Sequence, residues 1–335
     1  MSTVMNNMIS IITPCYNVSK TIEKYFDSIL SQTYKKLEIV AVDDGSTDNT
    51  AEIIKDYIEK FQNVGITLKY IYQENKGLGR AIDTGLQHIS GDFLCWSDPD
   101  DYYYPEAMEK RIKVLLDHSE YGIVSCDADI YTFPNIEKPV RREATRFSHR
   151  FEENQFELLL KEESHFCSGC HMIRMSAFNK VNPERHIFPA RRGQNWQMLL
   201  PVYYRFNRYY LDEPLYAYIV YPDSMSSGDI TEQRVLQRWK EHQEIIFETL
   251  KSIEMPESER ESYMRQTAIR YAYKNFYTAI DYRDKSLLRK QYKYLCENGA
   301  NDMNIDSLYR RNISFFCKVY YKTKEFIIGN SKGKP

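Results

Sequence analysis

The feature that most limits the fold of this chain is a regular alternation of two kinds of segment over its first 130 residues. Short apolar runs rich in β-branched residues predict buried strands, and stretches with helical periodicity separate them. The predicted strands cover residues 8–13, 37–42, 68–73, 92–96 and 122–126, and the predicted helices cover about 19–32, 48–62, 78–89 and 105–118. Strands that alternate with helices favour a mostly parallel, doubly wound α/β sheet.

Polar residues follow each of the first four predicted strands at its carboxyl end. These segments read, in chain order, TPCYN, DDGSTD, QENKG and SDPDD. In open α/β sheets, ligands bind in the crevice beyond the carboxyl ends of the strands. The sequence therefore predicts a binding site at this edge of the sheet.

The chemistry of that site is limited by what the first turn lacks. It has no G-x-G-x-x-G, so it offers no glycine cradle for a dinucleotide pyrophosphate, and a dehydrogenase is not expected. A divalent cation held by carboxylates could neutralise a phosphate instead. Asp98 and Asp100 would supply those carboxylates, whereas Asp101 is expected to cap the segment leading into YYYPEAM. Like charges this close repel by about 1 kcal/mol per pair even in water. The alternative for this cluster is a solvated acidic turn.

Composition excludes several other classes of protein. The net charge of −2 over 335 residues does not favour nucleic acid as a partner. The N-terminus resembles no signal peptide, and no stretch approaches the ~18 apolar residues of a membrane span. Seven scattered cysteines suit a reducing compartment, so a cytoplasmic protein is expected. The stretch HFCSGCH (165–171) allows zinc or haem attachment, but buried structural cysteines are the favoured interpretation.

Beyond residue 130 the pattern becomes irregular and then helical. Amphipathic segments at about 231–253, 257–280, 285–297 and 312–328 predict C-terminal helices. The predicted domains are 1–228, divided into two halves (1–120 and 121–228), and a helical region at 229–335.

The sequence also carries a family resemblance. IITPCYNVSKTIEKYFDSILSQTYKKLEIVAVDDGSTDNT and NKGLGRAIDTGLQHISGDFLCWSDPDDYYYPEAM resemble two blocks of the inverting glycosyltransferases of family 2, which have the GT-A fold. The likeness is close over residues 10–116, looser to about 226, and does not include the C-terminal helices. It implies metal-dependent transfer of a hexose from a nucleotide-diphosphate sugar, with UDP as the expected nucleotide.

The resemblance makes residues 1–120 a nucleotide-sugar half and residues 121–228 an acceptor half. It implies a role for each matching position in the nucleotide-sugar half. Asp44 would accept a hydrogen bond from uracil, and Asp43 beside it would be a further nucleotide-sugar contact or, as the alternative, a structural residue. Asp98 and Asp100 would hold Mg²⁺ or Mn²⁺, with Asp98 also close to the nucleotide sugar. The other expected nucleotide-sugar contacts are Thr13, Pro14, Tyr16, Asn75, Gly77 and Arg80. Arg80 could pair with a phosphate, but a solvated arginine beside turn residues fits Asn75, Gly77 and Arg80 equally well.

The acceptor half departs from the family at its expected general base. The family has an acidic pair before a helix, whereas this chain has Gln194 and Asn195, and an amide cannot take a proton at neutral pH. Asn195 is expected to orient the acceptor, and the titratable candidates for the base are His171, Glu184 and Asp129. Gln194 and Trp196 would contact the acceptor, although Trp196 could equally be a core residue. Tyr221 stands where the family often has His.

Two functions follow from these residues. The first is an active transferase that adds a sugar to a saccharide or lipid-linked acceptor in cell-surface polysaccharide synthesis, such as a capsule. The alternative is a sugar-nucleotide-binding module that has lost catalysis and acts as a partner subunit. The basic, aromatic C-terminal segment suits peripheral contact with an anionic membrane, and its alternative is a solvated last helix.

Overall fold

A computed structural model of the protein describes residues 6–165, 167–222 and 231–313. The described chain divides into two compact units. The first contains the residues up to 222 together with Ile245–Met255. The second contains residues 231–244 and 256–313. The predicted domain boundary at 228 falls in the undescribed stretch between 222 and 231 and stays a prediction.

The first unit is built on a mixed nine-stranded sheet. Its strands are β1 (Ile9–Cys15), β2 (Leu37–Asp44), β3 (Thr67–Gln73), β4 (Phe93–Trp96), β5 (Tyr102–Tyr103), β6 (Ile123–Thr132), β7 (Arg141–Arg142), β8 (His171–Arg174) and β9 (Arg208–Val220). β1 and β2 are buried along their whole length, as expected for parallel strands that are covered on both faces. The five strands predicted from the sequence correspond to β1, β2, β3, β4 and β6.

The order of the strands sets the position of the site. It runs β3-β2-β1-β4-β8-β6-β9-β5, with β7 paired to β6. β1 to β4 pair in parallel, and β8 enters antiparallel between β4 and β6. The chain therefore steps outward from β1 through β2 to β3 and returns to the other side of β1 as β4. A topological switch point lies between β1 and β4.

Helices flank this sheet, and four of them match the predicted segments. These four are α1 (Ile22–Leu30), α2 (Thr50–Gln62), α3 (Leu78–Leu86) and α4 (Ala107–Asp117). α1 buries residues 22, 25, 26 and 29, the spacing of one helical face. The other helices of this unit are α5 (Phe156–Leu160), α6 (Met175–Val181) and α7 (Gln194–Arg205).

The described part of the C-terminal region, residues 231–313, is helical, as predicted. Its helices are α8 (Glu232–Ser252), α9 (Glu257–Asp281), α10 (Lys285–Glu297) and α11 (Met303–Ile313). Apolar side chains of α9, α10 and α11 form a small core in the second unit, with Phe276, Leu295 and Ile305 fully buried or nearly so. The predicted basic helix at 312–328 lies outside the described residues except for its first two positions. An α/β sheet followed by helices confirms the predicted fold class. None of the helices in the described ranges combines the length and apolar character of a membrane span.

Candidate functional site

The ends of β1, β2 and β4 lie side by side at the switch point. In the sheet register, Cys15 is opposite Asp43 and Ile12 is opposite Trp96. The backbone N–H of Ser97 continues this contact by donating to the Ile12 carbonyl over 3.1 Å. The polar segments that the sequence places after these strands therefore meet at one edge of the sheet.

Asp98 and Asp100 form the acidic part of this edge. Burial raises the pKa of Asp98, and a 3.0 Å hydrogen bond from Ser168 Oγ to Asp98 Oδ2 opposes that shift. Burial, with the nearby charge of Asp98 as a further cause, raises the pKa of Asp100 to about 7. No lysine or arginine in the described part of the chain offsets these shifts. Neither carboxylate therefore has a positive partner among the described side chains.

Asp101 has a different role from its two neighbours. Its Oδ1 accepts from the backbone N–H of Ile219 over 2.7 Å, and its Oδ2 accepts from the Tyr216 hydroxyl over 3.0 Å. The sequence suggests Asp101 as a cap for the segment leading into α4, and this is wrong because both oxygens contact β9 instead. Asp101 joins the acidic turn to β9.

The donor set of this edge suits a hard divalent cation. Asp98 and Asp100 offer carboxylate oxygens, which Mg²⁺ and Mn²⁺ prefer. A bound cation would also remove the mutual repulsion that raises the pKa of Asp100. Within residues 6–165, 167–222 and 231–313, no group of three His, Cys, Asp or Glu side chains is arranged to hold a metal ion. Further ligands would come from outside these described side chains, for example from a bound molecule and water.

At the end of β1, only one of the three predicted nucleotide contacts is exposed. The Thr13 side chain is fully buried, and its hydroxyl lies 2.6 Å from the Tyr25 hydroxyl, which contacts Ser97 Oγ at 2.6 Å. Pro14 is also buried, whereas Tyr16 is 51% exposed. Tyr16 is the exposed group that a ligand here would meet, because Thr13 is fully buried and its hydroxyl is already engaged. Contacts from Thr13 and Pro14 stay predictions.

Asp43 and Asp44 organise the loops around this edge. Asp43 accepts hydrogen bonds from the Ser46 N–H and the Tyr70 hydroxyl, each over 2.9 Å, which supports the structural role expected for it. Asp44 accepts from Gln73 Nε2 (2.6 Å), Lys76 N (2.9 Å) and Gly77 N (2.8 Å). A carboxylate has about four acceptor sites, so Asp44 retains capacity for one more donor.

The loop after β3 contacts the segment that leads into α7. Gly77 has a φ of +87°, and a side chain there would come within 3.3 Å of the Arg191 Cα. The N–H of Gly79 donates to the Ala190 carbonyl over 2.9 Å. A Cβ at Gly79 would lie 2.5 Å from the same oxygen. Glycine at both positions is what lets the two segments approach so closely.

Asn75 and Arg80 remain near the surface of this loop. Asn75 is exposed, and the Arg80 side chain is 45% exposed. Arg80 Nη1 donates to Asp83 Oδ2 over 2.7 Å, and Asp83 also accepts from the His186 ring and the Ile187 N–H. Arg80 is thus already paired, and binding a phosphate would require it to share or leave Asp83.

Asn195 is joined to the end of β4. Trp96 Nε1 donates a 2.8 Å hydrogen bond to Asn195 Oδ1. Asn195 is the second residue of α7, whose N-cap is Gly193 with a φ of +82°. Trp96 lies two residues before Asp98 in the sequence. The hydrogen bond therefore ties Asn195, which stands where the family resemblance expects the general base, to the strand that leads into the acidic pair.

Gln194 and Trp196, the residues on either side of Asn195 in the sequence, have little exposed surface. Trp196 is 3% exposed, and its ring packs beside Gly193, where an added Cβ would lie 3.3 Å away. This burial favours the interpretation of Trp196 as a core residue, and its contact with an acceptor sugar stays a prediction. Gln194 is 6% exposed at the start of α7 and stays a predicted acceptor contact.

His171 is not placed to act as the general base. Its side chain is fully buried, with Nδ1 2.9 Å from the Cys167 carbonyl and its ring stacked on Trp96 at a centroid distance of 6.0 Å. Burial lowers the pKa of His171 to about 3. Burial excludes direct contact with an acceptor, so His171 supports Trp96 instead. Asp129 accepts from the Tyr104 hydroxyl, Glu184 is exposed, and both remain candidates for the base.

A comparison of the sequence with known protein families identifies the family of this chain. A sequence model described as Glycosyl transferase family 2 matches residues 10–181, more than half of the chain. The chain belongs to glycosyl transferase family 2.

Relatives within and around this family agree with the assignment. Glycosyltransferase GlyA of Streptococcus pneumoniae is 29% identical over 235 residues, which are 67% of this chain and 32% of GlyA. The uncharacterized glycosyltransferase RP339 of Rickettsia prowazekii is 36% identical over 129 residues, 38% of each protein. Putative glycosyltransferase EpsE of Bacillus subtilis is 28% identical over 62% of this chain and 71% of its own length. The chain thus spans about a third of the length of GlyA and RP339.

Solved structures of glycosyltransferases share the fold of this family 2 chain. TarS 1–349 of S. aureus in complex with UDP-GlcNAc aligns with a TM-score of 0.61 at 17% identity, over 92% of this chain and 82% of TarS 1–349. Mannosyltransferase PcManGT of Pyrobaculum calidifontis, in complex with GDP-Man and Mn²⁺, aligns with a TM-score of 0.53 at 15% identity, over 97% of this chain and 86% of PcManGT. These likenesses confirm the predicted GT-A fold.

Two residues of the family 2 site are missed by sequence analysis. Ser168 donates to Asp98 from inside the HFCSGCH stretch, where the cysteines attract attention and the serine does not. Trp96 reads as one more apolar residue at the end of β4, yet it bonds to Asn195. Burial, with the charges of Asp100 and Asp101 as further causes, raises the pKa of Tyr221, and a role for Tyr221 at the metal stays untested.

Proposed function

We propose that this family 2 chain is a metal-dependent, inverting hexosyltransferase that uses a UDP-sugar. The observation that carries the proposal is the pair Asp98 and Asp100, two carboxylates at the switch point of the sheet for which the described part of the chain offers no positive partner. Burying such a pair costs free energy unless a cation joins it. The complexes of TarS with UDP-GlcNAc and of PcManGT with GDP-Man and Mn²⁺ support a nucleotide-sugar donor with a divalent cation.

The residues around this pair would position the donor. Tyr16 would contact the nucleotide base, and the remaining acceptor site of Asp44 would take a hydrogen bond from uracil. Ser168 holds Asp98 in place for the cation. Arg80 could contribute a charge to the diphosphate if it turns from Asp83.

Asp98 and Asp100 would hold Mg²⁺ or Mn²⁺, which neutralises negative charge on the departing diphosphate when it is bound. The acceptor hydroxyl attacks the anomeric carbon from the opposite side, so the configuration inverts. Asn195 would orient that hydroxyl at the start of α7, while Trp96 fixes the amide. A nearby acid or solvent would remove the proton, because an amide cannot.

The acceptor that we propose is a saccharide or a lipid-linked saccharide in the synthesis of a cell-surface polysaccharide such as a capsule. The cytoplasm supplies UDP-sugars and is the proposed location. Contact with the inner face of the membrane, through the basic C-terminal segment, is part of the same proposal.

Calorimetric titration of UDP tests the donor site directly. We expect UDP to bind at least tenfold more tightly with Mg²⁺ or Mn²⁺ than with EDTA, because the cation joins two carboxylates to the diphosphate. Asp98→Asn should remove this difference. Asp117→Asn is the control, since Asp117 is an exposed carboxylate at the end of α4. Equal affinity for UDP with and without the cation would refute the metal assignment.

A second function is favoured by the amide at position 195. The side chain at this position is an amide and not the carboxylate that a general base needs, and its oxygen accepts a hydrogen bond from the Trp96 indole. This arrangement fits a module that binds a sugar nucleotide without transferring the sugar. The two functions differ in turnover. Release of UDP from a panel of UDP-sugars in the presence of saccharide acceptors supports the transferase, and tight metal-dependent UDP binding without any release supports the binding module.

A further inference from the structure

A groove runs between three helices of the C-terminal unit. Its volume is about 440 Å³, within the range of roughly 300–1,000 Å³ that is usual for small-ligand sites. One side chain of α8, three of α9 and five of α10 line it: Gln243, Ala268, Ala272, Asn275, Lys290, Gln291, Lys293, Tyr294 and Glu297.

The shape of the groove follows from the sequence of α9 and α10. Ala268, Ala272 and Asn275 lie at i, i+4 and i+7, so they form one stripe along α9. The two alanines are too short to fill the space opposite them. On α10, Lys290, Lys293 and Glu297 lie at i, i+3 and i+7, so they also share one side of their helix and form the facing wall.

Three primary amides point to a ligand rich in hydrogen-bonding groups. Gln243, Asn275 and Gln291 line the groove from three different helices. Within residues 231–313 none of the three side chains hydrogen-bonds to another protein group. Each amide offers two donors and one acceptor, the combination that matches sugar hydroxyl and carboxylate groups.

The charge of the groove favours an anion. Lys290 and Lys293 are its basic residues, and Glu297 is its acid. Glu297 lies 3.7 Å from Lys293 Nζ, so this pair is internally balanced and Lys290 leaves a net positive charge. Tyr294 adds a ring that is 36% exposed, against which the apolar face of a sugar can pack.

We propose that this groove binds an anionic oligosaccharide, a chain of sugar rings that carries carboxylate or phosphate groups. This site lies in the second unit and goes beyond the proposed transfer reaction. A membrane surface explains the groove less well, because its polar amides line a concavity rather than an exposed apolar helix face. In this proposal the amides hydrogen-bond to sugar hydroxyls, a lysine pairs with a carboxylate or phosphate, and the tyrosine ring packs against a sugar face.

The test measures binding of a short oligogalacturonate to the full chain by calorimetry, in EDTA and without UDP so that the donor site does not contribute. A malto-oligosaccharide of equal length is the neutral probe. We expect saturable binding of the oligogalacturonate and at least tenfold weaker binding of the neutral probe. The double variants Lys290→Gln/Lys293→Gln and Asn275→Leu/Gln291→Leu should each weaken the oligogalacturonate about tenfold.

Lys285→Gln is the matched control, because Lys285 lies on α10 outside the groove and should leave the affinity unchanged. Unchanged melting temperatures and unchanged UDP binding show that the variants fold. No saturable binding overturns the proposal, as does loss of binding in the lysine variant without loss in the amide variant, which indicates simple charge attraction. Stronger binding to phosphatidylglycerol vesicles than to the oligosaccharide overturns it in favour of a membrane contact. Each outcome is independent of whether the donor site transfers a sugar.

Discussion

The indole of Trp96 and the amide of Asn195 are joined by a hydrogen bond of 2.8 Å from Nε1 to Oδ1. An indole N–H can only donate, so the amide oxygen of Asn195 must be the atom that faces Trp96. Trp96 in turn stacks on His171, with the ring planes at 16°. The residue at the expected base position is therefore oriented from behind by a buried stack of rings that begins at the end of β4.

Asn195→Ala should reduce turnover more than donor binding. We expect kcat to fall about tenfold and the affinity for UDP to change less than twofold, because the lost contact faces the acceptor rather than the nucleotide. Asn195→Asp should fold normally, since a carboxylate also accepts from Trp96, and should keep or increase activity. The pH profile of turnover for the three proteins is the measurement. Identical profiles for wild type and Asn195→Ala would place this residue outside the acceptor site.

Trp96→Phe completes the comparison, because it keeps an aromatic ring beside His171 and removes only the N–H donor. Its effect on kcat should not add to that of Asn195→Ala, since both variants break the same hydrogen bond. The chain has three tryptophans, so the indole N–H resonance that disappears in Trp96→Phe identifies Trp96. That resonance should shift in Asn195→Ala. Fully additive effects on kcat would show that the two residues act separately.

Asp100 and Asp101 should respond to substitution in opposite ways. Asp100→Ala removes a repelled carboxylate, so without metal the protein should be as stable as wild type or slightly more stable, while cation-dependent UDP binding is lost. Asp101→Ala leaves the Tyr216 hydroxyl and the Ile219 N–H without their acceptor, at a cost of about 1–3 kcal/mol of unfolding free energy. Urea unfolding and UDP titration of both variants check this division of roles. Similar free energies of unfolding and similar UDP affinities in the two variants would contradict it.

Gly79→Ala should destabilise the protein although alanine is the better helix former. An added Cβ would lie 2.5 Å from the Ala190 carbonyl oxygen, so α3 or the segment before α7 must move, and we expect a loss of about 1–3 kcal/mol. Gly65→Ala is the control, because no atom lies within 4 Å of its Cβ position and only the positive φ of 77° is strained. That strain costs about 1 kcal/mol. Thermal unfolding compares the two, and a Gly79→Ala protein more stable than wild type would show that the segments do not pack as described.

His171 should make the protein sensitive to acid. Burial lowers its pKa to about 3 in the folded state, against an ordinary value of 6.5. Below pH 6.5 the unfolded chain gains a proton at His171 and the folded protein does not, so stability falls as the pH drops from 6.5 toward 3. At pH 5 the loss from this group is about 2 kcal/mol. In His171→Gln, which cannot titrate, the decrease in unfolding free energy between pH 7.5 and 5 should be smaller by that amount. Parallel curves for the two proteins would show that His171 is protonated in the folded state.

The sequence by itself determined the α/β order of the first unit and the polar edge of its sheet. The β-branched runs became β1 to β4 and β6 because such runs can be buried on both faces, and the parallel pairing of β1 to β4 then aligned Asp44 and Asp98 at one edge. Local spacing was enough for these residues, since each follows directly from the end of its own strand. It was also enough for α8, α9 and α10, whose apolar periodicity is long and regular.

Tertiary structure alone decided what the individual side chains contact. Ser168 lies 70 positions from Asp98 along the chain and Asn195 lies 99 positions from Trp96, so no local pattern could pair them. The insertion of β8 between β4 and β6 brings Ser168 to the acidic edge, and it buries His171 beneath Trp96. Tertiary packing likewise buried Trp196 and turned Asp101 to β9. These outcomes depend on which surfaces meet when the sheet is assembled, and a residue type and its spacing do not contain that information.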